Sequence, residues 1–387
     1  MRYQATIFES LLKELPRYRF ERIVARHGGD WRVRRLSCWS HFVALLYGHL
    51  SGAGSLRELE AGLNSHGGVH YHLGIAPVRR STLADANGSR DPAIFEEVFL
   101  LLLGRLKGRL RHQLGQAGEM VRLVDATVLP LPANRAAWAG CWRRTTAAKA
   151  HVVYDPKLDA PVHFTIRPGA VNDVVEGKKA PLEPGAVYVF DRAYVDFAWW
   201  AAMAEQGCHF VTRLKSNSRY HLIEERPVCD QTIVADRTIR LSQRLARARK
   251  NPYQGRLREV VVRDPKGRRL RLLTNLLSAP AAKIADLYKT RWQIELFFKW
   301  LKQNLRIKRF LGYSQNAVKL QIITAMIAFI LLRLAKENTQ KQTSMQTLKR
   351  LVSANLMHRK SWSSLFKPPN QKPKPPPNTP QKQWAFI

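Results

Sequence analysis

From Ile7 to about Leu110 the apolar residues recur at helical spacing. Trp39, Phe42, Leu45 and Leu46 make one face, and Leu56, Leu59 and Leu63 make the next. Gly48, Gly52 and Gly54 are expected to divide these two runs. Between Pro77 and Asn87 a short helix is expected, capped by Ser81, with Arg79 and Arg80 at its start. A longer helix opens near Asp91-Pro92, since proline suits a first helical turn. The pair has the outline of a helix-turn-helix.

At Val121 the period changes from helix to strand. Val121 to Ala126 reads as a short extended segment with Asp125 at its end, and Ala150–Tyr154 and Val162–Ile166 read as an antiparallel pair. Ala186 to Phe190 is a buried strand that finishes at Asp191, followed by a helix from about Phe197 to Gln206 and a strand over His209–Arg213. A hairpin joins Leu257–Val262 to Leu270–Leu273 through Asp264–Gly267. One long helix is expected from Pro280 to about Arg309. A buried one follows around Ile322–Leu332, a run too short to span a membrane. Beyond Glu337 apolar density falls. Residues 367–387 hold seven prolines and four lysines, the composition of a disordered tail.

Charge changes the picture most. The chain has 64 Lys and Arg against 29 Asp and Glu, a formal +35, which calls for a polyanionic partner. Residues 1–105 carry 14 basic and 10 acidic side chains, so +31 falls on residues 106–387. Residues 213–275 alone have 17 basic and 6 acidic side chains, and Arg256, Arg258, Arg268 and Arg269 of the hairpin are candidate phosphate contacts. Cys38, Cys141, Cys208 and Cys229 stand far apart with no C-x-x-C pair, which argues against a zinc ribbon or a disulfide framework and fits a reducing interior. Glu9 and Glu14 near the first apolar residues argue against a secretory leader.

Phosphodiester cleavage with magnesium needs oxygen ligands that hold two ions a few Å apart. Asp125 and Asp191, each after an apolar strand, become neighbours if those strands pair in parallel. Further on, a helix turning about 100° per residue puts Tyr288, Arg291, Lys299, Lys302 and Arg306 within about 40° of Glu295, while Ile294, Phe297, Leu301 and Leu305 form a buried stripe. An acid ringed by basic groups suits a metal ligand beside phosphates. The plainer alternative is an exposed helix laced with i,i+4 ion pairs, which accounts for Arg291 and Lys299 but not for eight basic against two acidic residues over 283–310. Asp155 and Asp159 read as turn residues, and Asp173, in Val171-Asn-Asp173, follows a strand and a glycine loop.

Tyr288, Arg291, Glu295 and Lys302 match the Y-x2-R-x3-E-x6-K signature, and through it the chain resembles the IS4-family DDE transposases. Leu123-Val-Asp-Ala-Thr127 and Phe190-Asp-Arg-Ala-Tyr194 are similar to the segments around that family's first two acids. The resemblance implies catalytic and metal-binding roles for Asp125, Asp191 and Glu295 with two Mg²⁺, for which Mn²⁺ can substitute. It also implies phosphate contacts by Tyr288, Arg291 and Lys302.

The implied fold is α/β: a ribonuclease-H-like catalytic core over 119–335, interrupted by a basic β-rich insertion at 213–275. A mostly helical DNA-binding or accessory region at 1–118 precedes it, and a C-terminal segment at 336–387 follows. The implied activity is cleavage at terminal inverted repeats and joining of 3′ hydroxyls to target DNA. The implied partners are double-stranded DNA and a second copy of the chain in a synaptic homodimer, with no membrane. The implied location is bacterial, cytoplasmic and nucleoid-associated. Some relatives brace a flipped base with a tryptophan from the insertion. There is none here between Trp200 and Trp292, so either Tyr220, His221 or Tyr253 takes that part or the hairpin step is absent or differently supported. The competing readings are a nuclease without strand transfer, including an inactive or domesticated derivative, and a DNA-binding regulator. The last leaves the three acids unexplained.

Overall fold

Some helix starts carry polar side-chain caps. In the computed structural model, which describes residues 4–114, 119–142, 145–214, 218–228, 230–242, 250–264, 266–305, 307, 309–339 and 343–366, Thr6 caps α1 (Ile7–Leu12) by accepting from Glu9 N. α2 (Arg17–Arg26) is amphipathic and buries Phe20, Ile23 and Val24. α3 (Cys38–Ser51) begins at a Ser37 cap and ends at Gly52, whose φ of 83° suits a residue without a side chain. Gly48 does not break this helix as expected. It lies inside α3, where a Cβ would stand 3.0 Å from Leu59 Cδ1, so its smallness lets α4 (Leu56–Asn64) approach. After α5 (Gly67–Leu73), α6 (Arg80–Ser89) starts one residue before the expected Ser81 cap. α7 (Pro92–Leu114) opens at Pro92 as predicted, with Asp91 accepting from Ala93 N.

The strand region follows. β1 (Val121–Pro130), β2 (Cys141–Trp142), β3 (Thr145–Asp155) and β4 (Ala160–Pro168) precede α8 (Asp173–Gly177). Next come β5 (Val187–Phe190), a 3-10 turn over Arg192–Tyr194, α9 (Phe197–Glu205) and β6 (His209–Arg213). Then β7 (Tyr220–Arg226), β8 (Ile233–Leu241), β9 (Leu257–Arg263) and β10 (Arg269–Thr274) lead into helices. All belong to one sheet of order β2-β3-β1-β5-β6-β10-β9-β8-β7, with β4 on β3. β1, β5 and β6 are parallel, while β4, β3 and β1 run antiparallel. This five-strand pattern with helices on both faces is the ribonuclease-H-like arrangement, here extended by β10 to β7 along the β6 edge. The residues read as a basic β-rich segment thus continue the sheet: β10 pairs directly with β6.

The helices after the sheet differ from expectation. Instead of one long helix there are α10 (Ala281–Thr290) and α11 (Trp292–Asn304), separated by Arg291 alone. At the break, Arg291 N bonds Tyr288 O and Ile294 N bonds Arg291 O, the tighter 3-10 spacing. α12 (Gln315–Glu337), α13 (Met345–Asn355) and α14 (Trp362–Leu365) complete the described chain. By length and composition α12 is apolar enough to cross a membrane, yet 94% of its most apolar window is buried inside the protein. It packs on α7, α3, α6 and β4, so one apolar core runs from the N-terminal helices to the sheet.

Candidate active site

Strand pairing places the first two acids. The parallel register of β1 and β5 ends at Val124 opposite Phe190, so Asp125 and Asp191 are the next residues on adjacent strands. Alternation sets their direction as well. Leu123 and Val189 join the core on the side of α10 and α11, whereas Val124 and Phe190 join the core under α9, so residues 125 and 191 face α11 with the former pair. β1 does not end at Asp125 as expected. Its other edge stays paired with β3 through Pro130, and only its pairing with β5 stops.

α11 brings the third acid over this edge by burying Ile294, Phe297, Leu301 and Leu305, the stripe predicted from sequence. Glu295 and Asp125 then line one cleft of about 370 Å³ with Lys299, Lys302, Ala126, Phe298 and Gln303. Arg291 Nη2 donates to Glu295 Oε1 at 2.6 Å, and Arg291 Nη1 stands 3.9 Å from Asp125 Oδ2. Tyr288 lies beneath the same guanidinium, 5.7 Å from its ring centroid. The break in the helix therefore leaves Tyr288, Arg291 and Glu295 on a shared side. Arg306 lies outside the described residues.

The electrostatics agree with convergence. Burial pushes the Asp125 carboxyl up to about 7. The Asp191 and Glu295 carboxylates raise it too, against the Ala126 N–H at 2.8 Å and Arg291. Asp191 accepts from Ala193 N at 2.7 Å, which fixes its direction as the cap of the 3-10 turn. Burial raises the Tyr288 hydroxyl as well, with Arg291 and Arg213 opposing and Asp191 adding. Arg213 was missed in the sequence, where no motif marks it: it ends β6, the third parallel strand, next to the strand of Asp191. Tyr194, whose hydroxyl has no hydrogen-bond partner among the described residues, is raised by burial and then by Asp125, Asp173 and Asp191. Asp173 pairs with buried Lys149 at 3.0 Å. Asp155 accepts from Lys157 N and Leu158 N, the turn role expected of it.

Among the described residues no three His, Cys, Asp or Glu side chains stand close enough to grip one ion together, and Arg291 bridges toward two of the acids instead. The donor set nonetheless fits a hard divalent cation. It consists of carboxylate oxygens, and the poorly compensated charge at Asp125 is what such a cation would stabilise.

The hairpin arginines divide. β10 runs antiparallel to β6 with Leu272 opposite Arg213, so the β9–β10 turn projects from the same sheet edge as Asp191, and exposed Arg268 and Arg269 go with it. Arg268 is held to Asp264 at 2.7 Å. Exposed Arg256 precedes β9 at the opposite edge. Arg258 corrects the expectation of a phosphate contact. It is 4% exposed, its Nε and Nη2 hold both oxygens of buried Asp236, and Nη1 donates to the Leu277 and Ala279 carbonyls. Tyr253 is likewise unsuited to stack on a base, since it is buried against Trp200 and Phe210. Exposed His221 and half-buried Tyr220, whose ring lies under Arg271, remain at the surface.

Comparison with known proteins bears on this geometry. The family described as "Transposase DDE domain" matches residues 116–331, and one described as "Domain of unknown function (DUF4372)" matches residues 3–76. The putative transposase y4zB of Sinorhizobium fredii (strain NBRC 101917 / NGR234) is 38% identical over 313 residues, covering 79% of this chain and 86% of that protein. The probable transposase for insertion sequence element IS5377 of Geobacillus stearothermophilus is 32% identical over 65% of this chain and 66% of its own length. The putative transposase for insertion sequence element IS4SA of Synechocystis sp. (strain PCC 6803 / Kazusa) is 26% identical over 73% and 79%. With a family match over more than half of the chain and relatives of this kind, the protein belongs to the IS4-type DDE transposases.

Proposed function

We propose that this chain cuts DNA at the terminal inverted repeats of its element and joins the freed 3′ hydroxyls to target DNA, using Asp125, Asp191 and Glu295 as the catalytic acids. The observation that carries this reading is the parallel β1–β5 register, which sets Asp125 beside Asp191 on the face that α11 covers with Glu295. The three carboxylates would hold Mg²⁺, or Mn²⁺ in its place. When bound, two such ions activate the attacking hydroxyl or water and stabilise the leaving oxygen. Each residue of this chain has its part. Asp191, whose Oδ1 is fixed by the Ala193 N–H, would offer its other oxygen to the ion, and Glu295 would leave Arg291 as phosphates enter. Arg291 then offers paired donors to a phosphate, Tyr288 orients it from below, and Lys302 with Lys299 lines the path of the strand. The DNA partner is a duplex end and the target duplex, brought together by two copies of the chain.

The test is single-turnover cleavage of a labelled inverted-repeat end in Mg²⁺ beside an Asp125→Asn protein. A pre-cut end with a target plasmid adds the second half: a joined product supports strand transfer, and hydrolysis alone favours the nuclease reading. Cutting by Asp125→Asn at the wild-type rate would overturn the assignment.

A further inference from the structure

We propose that the outer face of α2 and the loop 27–36 after it form a second DNA-contact surface, which grips the phosphate backbone of a duplex with arginines and sets Trp31 against it. The proposal rests on the transposase reading above and gives a partner to the region whose matching family has no stated function.

The most regular helix of this region is not available. α3 is buried along its length from Cys38 to Leu50, so it cannot enter a groove. α2 lies on it with its apolar side down and its other side in solvent. Residues 17–35 hold seven arginines and no lysine against Glu21 and Asp30, and every one of the seven is exposed. On α2, Arg19, Arg22 and Arg26 fall within about 60° of one another.

Some of these charges serve the fold: Arg17 pairs with Glu21, Arg26 with Glu97, and Asp30 is taken by Arg90. Arg22, Arg34 and Arg35 have no carboxylate partner among the described residues. Two others are laid on exposed rings. Arg19 stands 5.9 Å from the centroid of Tyr18, which is 59% exposed, and Arg32 stands 5.7 Å from that of Trp31, which is 76% exposed. Arg32 has a φ of 55°, a left-handed backbone that side-chain-bearing residues rarely adopt and that tends to persist at binding sites.

Arginine forks match phosphate oxygens in pairs, and rings between cations stack on sugars and bases. An anionic membrane would also attract the charge. It would need an apolar helix face to insert, and here Phe20, Ile23 and Val24 are already in the core. Duplex DNA is therefore the better fit.

The test uses the full chain and a labelled duplex, with affinity measured across salt concentration. Arg22→Gln/Arg34→Gln/Arg35→Gln should weaken binding at least tenfold near 0.1 M salt and flatten the log–log salt slope by up to about 0.9 for each phosphate no longer neutralised. The matching Arg→Lys triple, which keeps charge and fold, should keep most of the slope and lose affinity. Trp31→Ala should weaken binding with little change of slope, and Trp31→Phe should restore part of it. Wild-type affinity and slope in a Gln triple that melts at the wild-type temperature would overturn the proposal. So would a Gln triple that no longer binds phosphatidylserine vesicles but still binds the duplex like wild type. If the wild-type chain does not cut but its duplex binding depends on these arginines, the catalytic reading fails and this surface stands. If it cuts and the Gln triple binds like wild type, this surface alone fails.

Discussion

Arg291 donates to Glu295 at 2.6 Å from the single residue that parts α10 from α11. Its other amino group stands 3.9 Å from Asp125, so one guanidinium leans on two acids that strand pairing and helix packing bring in from separate parts of the chain. A lysine at this place keeps the charge but lacks the fork. Arg291→Lys should bind the end DNA within about threefold of wild type and cut it roughly 10- to 100-fold more slowly. Equal single-turnover rates would show that the fork is dispensable.

Asp125 is a half-buried acid crowded by two others. Asp125→Asn should therefore abolish cleavage while melting at the wild-type temperature or above it when no divalent ion is present. Adding Mn²⁺ should raise the melting temperature of the wild-type chain and not that of the variant, because only a site that binds the ion gains from it. The readout is a thermal melt with and without metal. An equal metal shift in both proteins would place the ion elsewhere.

The arginines of the β9–β10 hairpin should behave in opposite ways. Arg258→Ala strands buried Asp236 and should cost about 3–5 kcal/mol of stability in urea denaturation. Arg268→Gln/Arg269→Gln should leave stability nearly unchanged and lower the salt slope of end binding by up to about two units. Arg256→Gln, at the far edge, should change neither. A stable Arg258→Ala protein with a lower slope would reverse this assignment.

Burial lowers His41 and His151 to about 4. An ordinary imidazole titrates near 6.5, so between these values the unfolded chain binds protons that the folded chain refuses. Stability should fall as pH drops through 6.5 toward 4, by up to about 3 kcal/mol for each fully buried ring. His41→Gln, whose amide can still reach Asn87, should show a shallower decline than wild type in urea melts at pH 7 and 4.5. Parallel pH profiles would mean that His41 titrates alike in both states.

Much of the candidate site was legible in the sequence because its signals are local. An aspartate after a run of apolar residues stands out against the strand that carries it, and the helical period alone puts Tyr288, Arg291 and Glu295 on one side. What escaped is set at long range. Arg258 reads as a surface charge until β8 delivers Asp236 from 22 residues away. Tyr253 reads as a free ring until it meets Trp200. Arg213 carries no motif, and only the place of β6 beside β5 brings it to Tyr288. The break at Arg291 was hidden because a one-residue tightening of the helix leaves the apolar stripe almost unshifted.

α12 touches α3, α6 and α7 on one side and β4 on another, inside a single apolar core. A duplex seated on α2 and entering the cleft at Glu295 would thus be held by two jaws of one vice that share a single apolar core. The number of base pairs from the gripped position to the severed bond then becomes a length cast in the protein itself. Adding base pairs between the two should move the cut along the sequence and leave its distance from the grip unaltered.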